Sequence, residues 1–110
     1  MSGCIFCKII AGEIPCKKAY EDDDVLAFHD ISPQAPVHVL VIPKLHTEEV
    51  TEENSAIAGK CLAAADKLAK EFGLADGFRI VTNRGPVAGQ TVPHLHFHLL
   101  AGRQLDLTMG

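Results

Sequence analysis

The sequence predicts a single α+β domain, residues 1–110, in which one long and one short helix accompany a five-stranded, largely antiparallel sheet. Five short runs rich in apolar and β-branched residues lie close together along the chain, which favours antiparallel strands. One longer stretch, residues 52–72, repeats its apolar residues at helical spacing. Hydrophobic residues make up 47% of the 110 residues, which is enough apolar material for one core.

The first third of the chain predicts a short helix and a β-hairpin. Apolar residues recur at helical spacing over 4–11, and Gly12 suits the end of a helix. Two strands, 17–21 and 25–30, follow with an acidic turn, 21–24, between them. We expect this acidic run to be an exposed turn, because its spacing lacks the ligand pattern of a calcium loop.

The middle of the chain predicts a loop, a buried strand and the long helix. Residues 31–36 contain two prolines and therefore form a loop. A β-branched run over 38–42 is typical of a buried strand. The long helix over 52–72 has Thr51 as its candidate N-cap and Gly73 as the candidate residue that ends it.

The last third predicts a strand, 78–82, a glycine-bearing loop, 83–90, and a strand of alternating histidines, 94–100. Successive side chains of a strand face opposite sides of its sheet. Three imidazoles therefore face one side, and three apolar side chains face the other. We expect the long helix to cover the apolar side and to leave the histidine side open to a ligand. The two sets are His94, His96 and His98, and Leu95, Phe97 and Leu99.

Histidine and cysteine supply the candidate reactive groups. Near neutral pH an imidazole can act as nucleophile, acid, base or metal ligand, so the histidine row indicates a site. Of the four cysteines, Cys4 and Cys7 form a Cys-x-x-Cys pair. In an intracellular chain such a pair indicates a metal or redox site before a structural disulfide, but it supplies only two ligands.

Charge and composition exclude several classes of partner. The net charge of −4 gives no support to a polyanion-binding surface, so we expect no bulk nucleic acid as partner. The N-terminus lacks a basic start followed by a long apolar segment, which argues against a signal peptide. The longest apolar run, 37–43, is too short to span a bilayer. We expect a cytoplasmic protein with no membrane partner.

Two segments resemble the signature regions of one known family. The run Gly89-Gln90-Thr91-Val92-Pro93-His94-Leu95-His96-Phe97-His98-Leu99-Leu100 resembles the histidine triad motif. The run Asp30-Ile31-Ser32-Pro33-Gln34-Ala35-Pro36-Val37-His38, with Val41-Ile42-Pro43-Lys44 after it, is similar to the family's nucleotide-binding loop and second strand. The resemblance extends from residue 5 to about residue 104. The chain is identified as a member of the histidine triad (HIT) family, closest to its purine nucleoside phosphoramidase (Hint-like) branch.

The resemblance implies an adenosine 5′-monophosphoramidase-type hydrolase that uses no organic cofactor. Such an enzyme cleaves the P–N bond of purine nucleoside 5′-phosphoramidates, such as lysyl or amide conjugates of AMP, through a nucleotidyl-histidine intermediate. The resemblance implies that His96 attacks the phosphate and that a backbone carbonyl orients the ring by accepting a hydrogen bond from its other nitrogen. His98 holds the phosphate and helps to protonate the leaving group. His38 completes the catalytic cluster with His94; its alternative is a hydrogen-bonded strand residue, and we favour the catalytic interpretation.

The resemblance also implies three groups of substrate-binding residues. Asp30 matches the acid that accepts hydrogen bonds from the ribose hydroxyls. The alternative is that its carboxylate only caps a turn. A second group contacts the phosphate, and a third forms an apolar slot around the base. The phosphate group is Asn83, Gly89, Thr91 and Val92, with Gln90 as a further substrate-binding residue, and the slot is Ile5, Phe6, Ile9, Ile14 and Ile31.

A zinc site is implied by the same resemblance. Cys4, Cys7, His46 and His94 match the Cys-Cys-His-His site of some bacterial members. Two thiolates and two imidazoles suit tetrahedral zinc, and a site with no open position is structural. The alternative is a pair of free cysteines. If His94 binds zinc, it cannot also relay protons.

Several functional alternatives stay open from the sequence. They are a dinucleoside polyphosphate hydrolase, a zinc hydrolase with the histidine row as ligands, and a nucleotide-sensing or scaffolding module with little turnover. His98 stands where the nucleotidyltransferase branch has glutamine, and 101–104 resembles the phosphoramidase branch. The resemblance implies a homodimer in which the tail, 101–110, contributes to the partner's site. The end of that tail, 105–110, departs from the pattern of the branch.

Overall fold

The structure is a computed structural model that describes residues 3–106. Its helices are α1 (Ile5–Ile10) and α2 (Ser55–Glu71), and its strands are β1 (Lys18–Glu21), β2 (Val25–His29), β3 (Val37–Pro43), β4 (Arg79–Val81) and β5 (Phe97–Ala101). A short 3₁₀ turn, Pro86–Ala88, precedes the last strand. The strands form one sheet in the order β1-β2-β3-β5-β4, with every neighbouring pair antiparallel. The predicted fold class is confirmed.

The two faces of the sheet are covered by different helices. Strand β2 alternates between them: Val25 and Ala27 pack on the α2 side, whereas Leu26 and Phe28 pack with Phe6 of α1. Because both faces of β2 are covered, four consecutive residues of this strand are buried. The sequence predicted an open histidine face. That expectation is corrected, because α1 lies over part of that face.

Helix α2 begins at Ser55, three residues later than the predicted start. Thr51 is not its N-cap. The N–H of Thr51 donates to Asn54 Oδ1 (2.9 Å) and the N–H of Asn54 donates to Thr51 Oγ1 (3.2 Å). These two bonds close residues 51–54 into a turn of their own, so that Asn54 takes the N-cap position. Short polar side chains compete with helix in this way by bonding nearby backbone groups.

The end of α2 confirms the predicted role of Gly73. This glycine has φ +70°, and its N–H donates to the carbonyl of Lys70 (3.1 Å). The N–H of Leu74 donates to the carbonyl of Ala69 (2.9 Å). These two bonds are those of a Schellman motif, which needs a residue in the left-handed region.

Strand β5 begins at Phe97, so His94 and His96 precede it and do not belong to the strand as predicted. The segment just before β5 is held by a hydrogen bond to the loop after β3, because the N–H of Leu95 donates to the carbonyl of Thr47 (2.6 Å). The predicted alternation nevertheless holds, because Leu95, Phe97 and Leu99 are all buried in the core under α2.

Within residues 3–106, no helix has the length and apolar character needed to cross a bilayer. The predicted contribution of the tail, 101–110, to a partner's site falls partly on 107–110, which lie outside the described residues.

Candidate active site and metal centre

Two histidines meet across neighbouring strands. His38 on β3 and His98 on β5 lie on strands that pair directly, and His38 Nε2 lies 2.9 Å from His98 Nδ1. The ring of His96 stands 5.2 Å from that of His98, edge to face. The structure therefore brings together three of the four predicted catalytic histidines.

Backbone groups determine which nitrogen of each ring carries its hydrogen. The N–H of Gln34 donates to His38 Nδ1 (3.0 Å), so the hydrogen of the neutral ring lies on Nε2. His38 Nε2–H then donates to His98 Nδ1, which leaves the hydrogen of His98 on its Nε2. The chain of hydrogen bonds that begins at the Gln34 N–H therefore leaves the Nε2–H of His98 as a donor.

Asp30 lies beside this pair. Its Oδ2 is 3.5 Å from His38 Nε2, and its Oδ1 accepts the N–H of Ser32 (2.7 Å). The ligand atoms of Asp30, His38 and His98 are close enough together to hold a metal ion. Because Gln34 holds the His38 hydrogen on Nε2, that nitrogen has no lone pair for a metal, so the cluster favours hydrogen bonding.

His96 is oriented by the residue two positions before it. Its Nδ1–H donates to the carbonyl of His94 (2.7 Å), which leaves Nε2 with a free lone pair. This is the backbone orientation that the resemblance implies. Thr82, which the sequence did not indicate, donates its hydroxyl to the carbonyl of His96 (2.8 Å).

Burial keeps the two paired histidines neutral. Desolvation lowers the pKa of His98 to about 4, with further lowering by His96 and His38 and an opposing effect of Asp30. Desolvation also lowers the pKa of His38, again against the attraction of Asp30. Both rings are therefore neutral at pH 7, as the chain of hydrogen bonds requires.

An apolar cavity of about 400 Å³ lies between α1 and the sheet. Its walls include Asp30 and all five residues predicted for the base slot. Phe28 and Leu40 also line it, although their strand pattern indicated only core. His29 is half-buried, lines the cavity and stacks on Phe72 with 6.1 Å between ring centroids. The five residues predicted for the base slot that line this cavity are Ile5, Phe6, Ile9, Ile14 and Ile31.

The loop before the triad is shaped by Gln90. Its Oε1 accepts the N–H of Gly85 (2.8 Å), and its Nε2 donates to the carbonyls of Glu48 (2.6 Å) and Val92 (3.1 Å). Its amide thus braces the loop. Val92 packs against the apolar cluster that contains Phe6. Of the other predicted phosphate-contacting residues, Asn83 is half-buried, and Gly89 and Thr91 are exposed.

Four side chains converge in a second cluster, outside the catalytic one. The ligand atoms of Cys4, Cys7, His46 and His94 all lie within 4.8 Å of one another. Cys4 Sγ is 3.3 Å and Cys7 Sγ 3.6 Å from His94 Nδ1, and His46 Nδ1 is 3.2 Å from both Cys7 Sγ and His94 Nδ1. Tetrahedral zinc with ordinary bond lengths separates its ligand atoms by about 3.3–3.8 Å. The donor set and its spacing therefore fit a zinc ion.

The second nitrogen of His94 supports the same interpretation. Its Nε2–H donates to the carbonyl of Pro43 (2.9 Å), as the second ring nitrogen of a metal-binding histidine usually does, and this leaves Nδ1 as the ligand atom. The N–H of Cys7 donates to Cys4 Sγ (3.3 Å). The sequence also placed the His94 ring among the catalytic groups. In the structure Nδ1 of His94 lies in the Cys-His cluster and its Nε2–H bonds the Pro43 carbonyl. The contact of His94 with the ring of His96 is made by its backbone carbonyl.

Comparison with known proteins identifies the family. A family model described as the HIT domain matches residues 11–105. The chain belongs to the HIT family. Its HIT fold is shared with a HIT family hydrolase from Legionella pneumophila, a solved structure with a TM-score of 0.93 and 46% identity. That match covers 98% of this chain and 100% of the other.

Two relatives of this HIT protein carry informative names. The adenylylsulfatase HINT1 of Arabidopsis thaliana is 49% identical over 96% of this chain and 76% of its own length. A 14 kDa zinc-binding protein of Brassica juncea is also 49% identical, over 96% of this chain and 98% of its own length. The fold and family expected from the two sequence motifs are confirmed.

Proposed function

We propose that this HIT protein hydrolyses purine nucleoside 5′-phosphoramidates by way of a nucleotidyl-histidine intermediate. One observation carries the proposal. His96 Nδ1–H is held by the His94 carbonyl at 2.7 Å, so its Nε2 lone pair is available as a nucleophile beside the N–H donor of His98. Membership in a family with solved hydrolases supports the hydrolytic class.

The nucleoside part of the substrate fits the cavity under α1. A flat purine suits an apolar slot of about 400 Å³ lined by isoleucine and phenylalanine side chains. Asp30 stands at the edge of this slot, where its carboxylate can accept the ribose hydroxyls. With the nucleoside in this place, the phosphate lies toward His96 and the loop that Gln90 braces.

The reaction then proceeds in two displacements. The anionic phosphate raises the pKa of His98 as it binds, so that His98 takes up a proton on Nδ1, and the Nε2–H of His38 then turns from that atom to Asp30 Oδ2, 3.5 Å away. His96 Nε2 attacks phosphorus while the P–N bond breaks, and His98 gives its proton to the departing amine. Water next attacks phosphorus, returns a proton to His98 and displaces His96, which releases the nucleoside monophosphate.

The nucleophile is tested by the variant His96→Ala. We expect turnover of an adenosine phosphoramidate to fall at least about a thousandfold, because the covalent intermediate can no longer form. Binding of AMP should persist, since the cavity and Asp30 are intact. Steady-state kinetics and calorimetric titration with AMP measure the two effects. Full activity in this variant would refute the proposal, and tight AMP binding by an inactive wild type would favour the nucleotide-sensing alternative.

Adenylyl sulfate is a second candidate substrate, because the Arabidopsis relative is named an adenylylsulfatase. Its leaving group is an anion that needs no proton, whereas an amine leaves only when protonated. His98→Gln should therefore lower phosphoramidate turnover about 10²–10⁴-fold and adenylyl sulfate turnover much less. Parallel assays of both compounds, with a diadenosine polyphosphate as third, separate the candidates. Equal losses on both substrates would contradict this role of His98.

We propose further that the second cluster holds a structural zinc ion. The tetrahedral spacing of its two sulfur and two nitrogen atoms supports zinc, as does the name of the Brassica relative. Four protein ligands leave no open position, so the ion would supply rigidity and not chemistry. Metal analysis of the purified protein tests this assignment.

A further inference from the structure

We infer that metal occupancy of the Cys4, Cys7, His46 and His94 centre raises the affinity for nucleotide. A bound ion would hold helix α1 in place, and α1 forms one wall of the nucleoside slot. The inference rests on the proposed function, since it takes the cavity under α1 as the nucleoside site. It concerns coupling between two sites, and neither site alone implies it.

Apart from the metal centre, helix α1 is held by one apolar cluster, against which its residues Cys7, Ile9 and Ile10 pack while staying partly exposed. Of its six residues, all within the described part of the chain, Phe6 alone is buried. Isolated helices of this length are not stable in water, because nucleation is costly and few hydrogen bonds reward it. The cavity itself lies beneath the helix, so the slot removes packing that would otherwise support it.

The metal centre ties this helix to two distant segments. Cys4 is the N-cap of α1 and Cys7 lies in its first turn. The other two ligands come from the segment after β3, through His46, and the segment before β5, through His94. A bound ion would therefore fix the N-terminal end of α1 to the sheet.

The same helix forms one wall of the slot. Ile5, Phe6 and Ile9 line the cavity opposite Phe28 and Leu40. Phe6 also packs edge to face against Phe28, with 5.8 Å between ring centroids. A purine between these walls needs α1 in place, so an unfastened helix must be ordered at the moment the nucleotide binds.

Phe6 further joins the two centres directly. Its ring lies 5.7 Å from the ring of His94, a metal ligand, and 5.2 Å from the ring of His96. Both contacts are edge to face and buried. Metal, slot and nucleophile thus share one aromatic side chain on α1.

Thermodynamic linkage makes the inference quantitative. If metal ordering of α1 favours nucleotide, nucleotide must favour metal by the same factor, and such couplings commonly amount to about 5–150-fold. We expect the Kd of AMP to rise about tenfold when Zn²⁺ is removed with a chelator. We expect the Kd of Zn²⁺ to fall by the same factor at saturating AMP.

Three measurements test this on the full chain. Calorimetry gives the AMP Kd of the zinc-loaded and zinc-free protein, and chelator competition gives the Zn²⁺ Kd with and without AMP. Hydrogen exchange follows the amides of Lys8 in α1 and of Ala11 at its C-cap, which donate to the carbonyls of Cys4 and Cys7. These amides should exchange faster without zinc, whereas those of the sheet should not.

Two variants separate the metal centre from the slot. His46→Ala removes a ligand that lies on neither the cavity wall nor the catalytic cluster, so it should reproduce the zinc-free AMP affinity. Cys61→Ala is the matched control, because Cys61 lies on the buried face of α2 and is not a ligand. It should keep the full zinc dependence of AMP binding.

Each outcome decides the question. Equal AMP affinities with and without zinc, in a zinc-loaded protein that binds AMP, overturn the coupling and leave the proposed function standing. Failure of the zinc-loaded protein to bind AMP overturns both. Loss of the whole β-sheet signal in circular dichroism on zinc removal also overturns the inference, because the metal would then hold the entire domain and not α1.

Discussion

At the scale of single residues, the chemistry of this protein depends on which ring nitrogen bears a hydrogen. Backbone groups fix that choice at three histidines: the Gln34 N–H at His38, the Pro43 carbonyl at His94 and the His94 carbonyl at His96. A backbone group cannot be lost by ordinary substitution. The proposed roles of nucleophile, donor and metal ligand thereby fall on three different rings, those of His96, His98 and His94.

The buried histidines make stability depend on pH. The pKa of His98 is about 4 in the folded chain and about 6.5 when unfolded. Its contribution is therefore complete above pH 6.5 and is lost as pH falls toward 4, because the unfolded chain binds the proton more readily. The lowered pKa of His38 acts in the same direction.

We expect this loss to be at most about 1.4 kcal/mol per pH unit for one histidine, and less because His98 is only half-buried and solvent screens its charge. Urea unfolding over this range, with zinc-loaded wild type and His98→Gln compared, isolates the contribution. The variant should show a flatter dependence. An identical slope in both proteins would show that His98 does not contribute.

At the scale of elements, glycine positions distinguish helix interior from helix end. Gly73 ends α2 with φ +70°, whereas Gly59 lies exposed within α2 with no atom near an added Cβ. Gly73→Ala should cost about 1 kcal/mol of unfolding free energy, and Gly59→Ala should add about 0.5–1 kcal/mol. Thermal unfolding measures both. Stabilisation by both substitutions would contradict the Schellman geometry.

The segment 101–104, which resembles the phosphoramidase branch, packs against the proline-containing loop after β2. Gly102 has φ +99°, and a Cβ there would come within 2.8 Å of Pro36. Arg103 donates to the carbonyl of Gln34 (3.0 Å), the residue whose N–H holds His38. The segment after β5 thus braces the proline-containing loop that orients the ring of His38.

At the scale of the whole molecule, a second copy of the chain is the expected partner. The sheet ends at the three-residue edge strand β4, and Leu62 and Phe78 are exposed apolar side chains. A chain of 11.8 kDa gains stability from such an interface. Sedimentation at micromolar concentration should give twice the chain mass. A monomer would contradict this prediction and the proposed reach of the tail.

The sequence by itself determined the fold class, the family and the residue types of both centres. Alternating histidines and leucines specify opposite faces of an extended segment, and two motifs in order specify the fold. Only the tertiary structure decided how His94 and His96, two residues apart, take different roles. The ring of His94 is bonded by the Pro43 carbonyl and by side chains from distant segments, about which residue spacing along the chain carries no information, whereas the ring of His96 is bonded by the carbonyl of His94 itself. The position of α1 over the histidine face was likewise decided in three dimensions, since its few buried contacts and the four converging ligand atoms come from parts of the chain far apart in sequence.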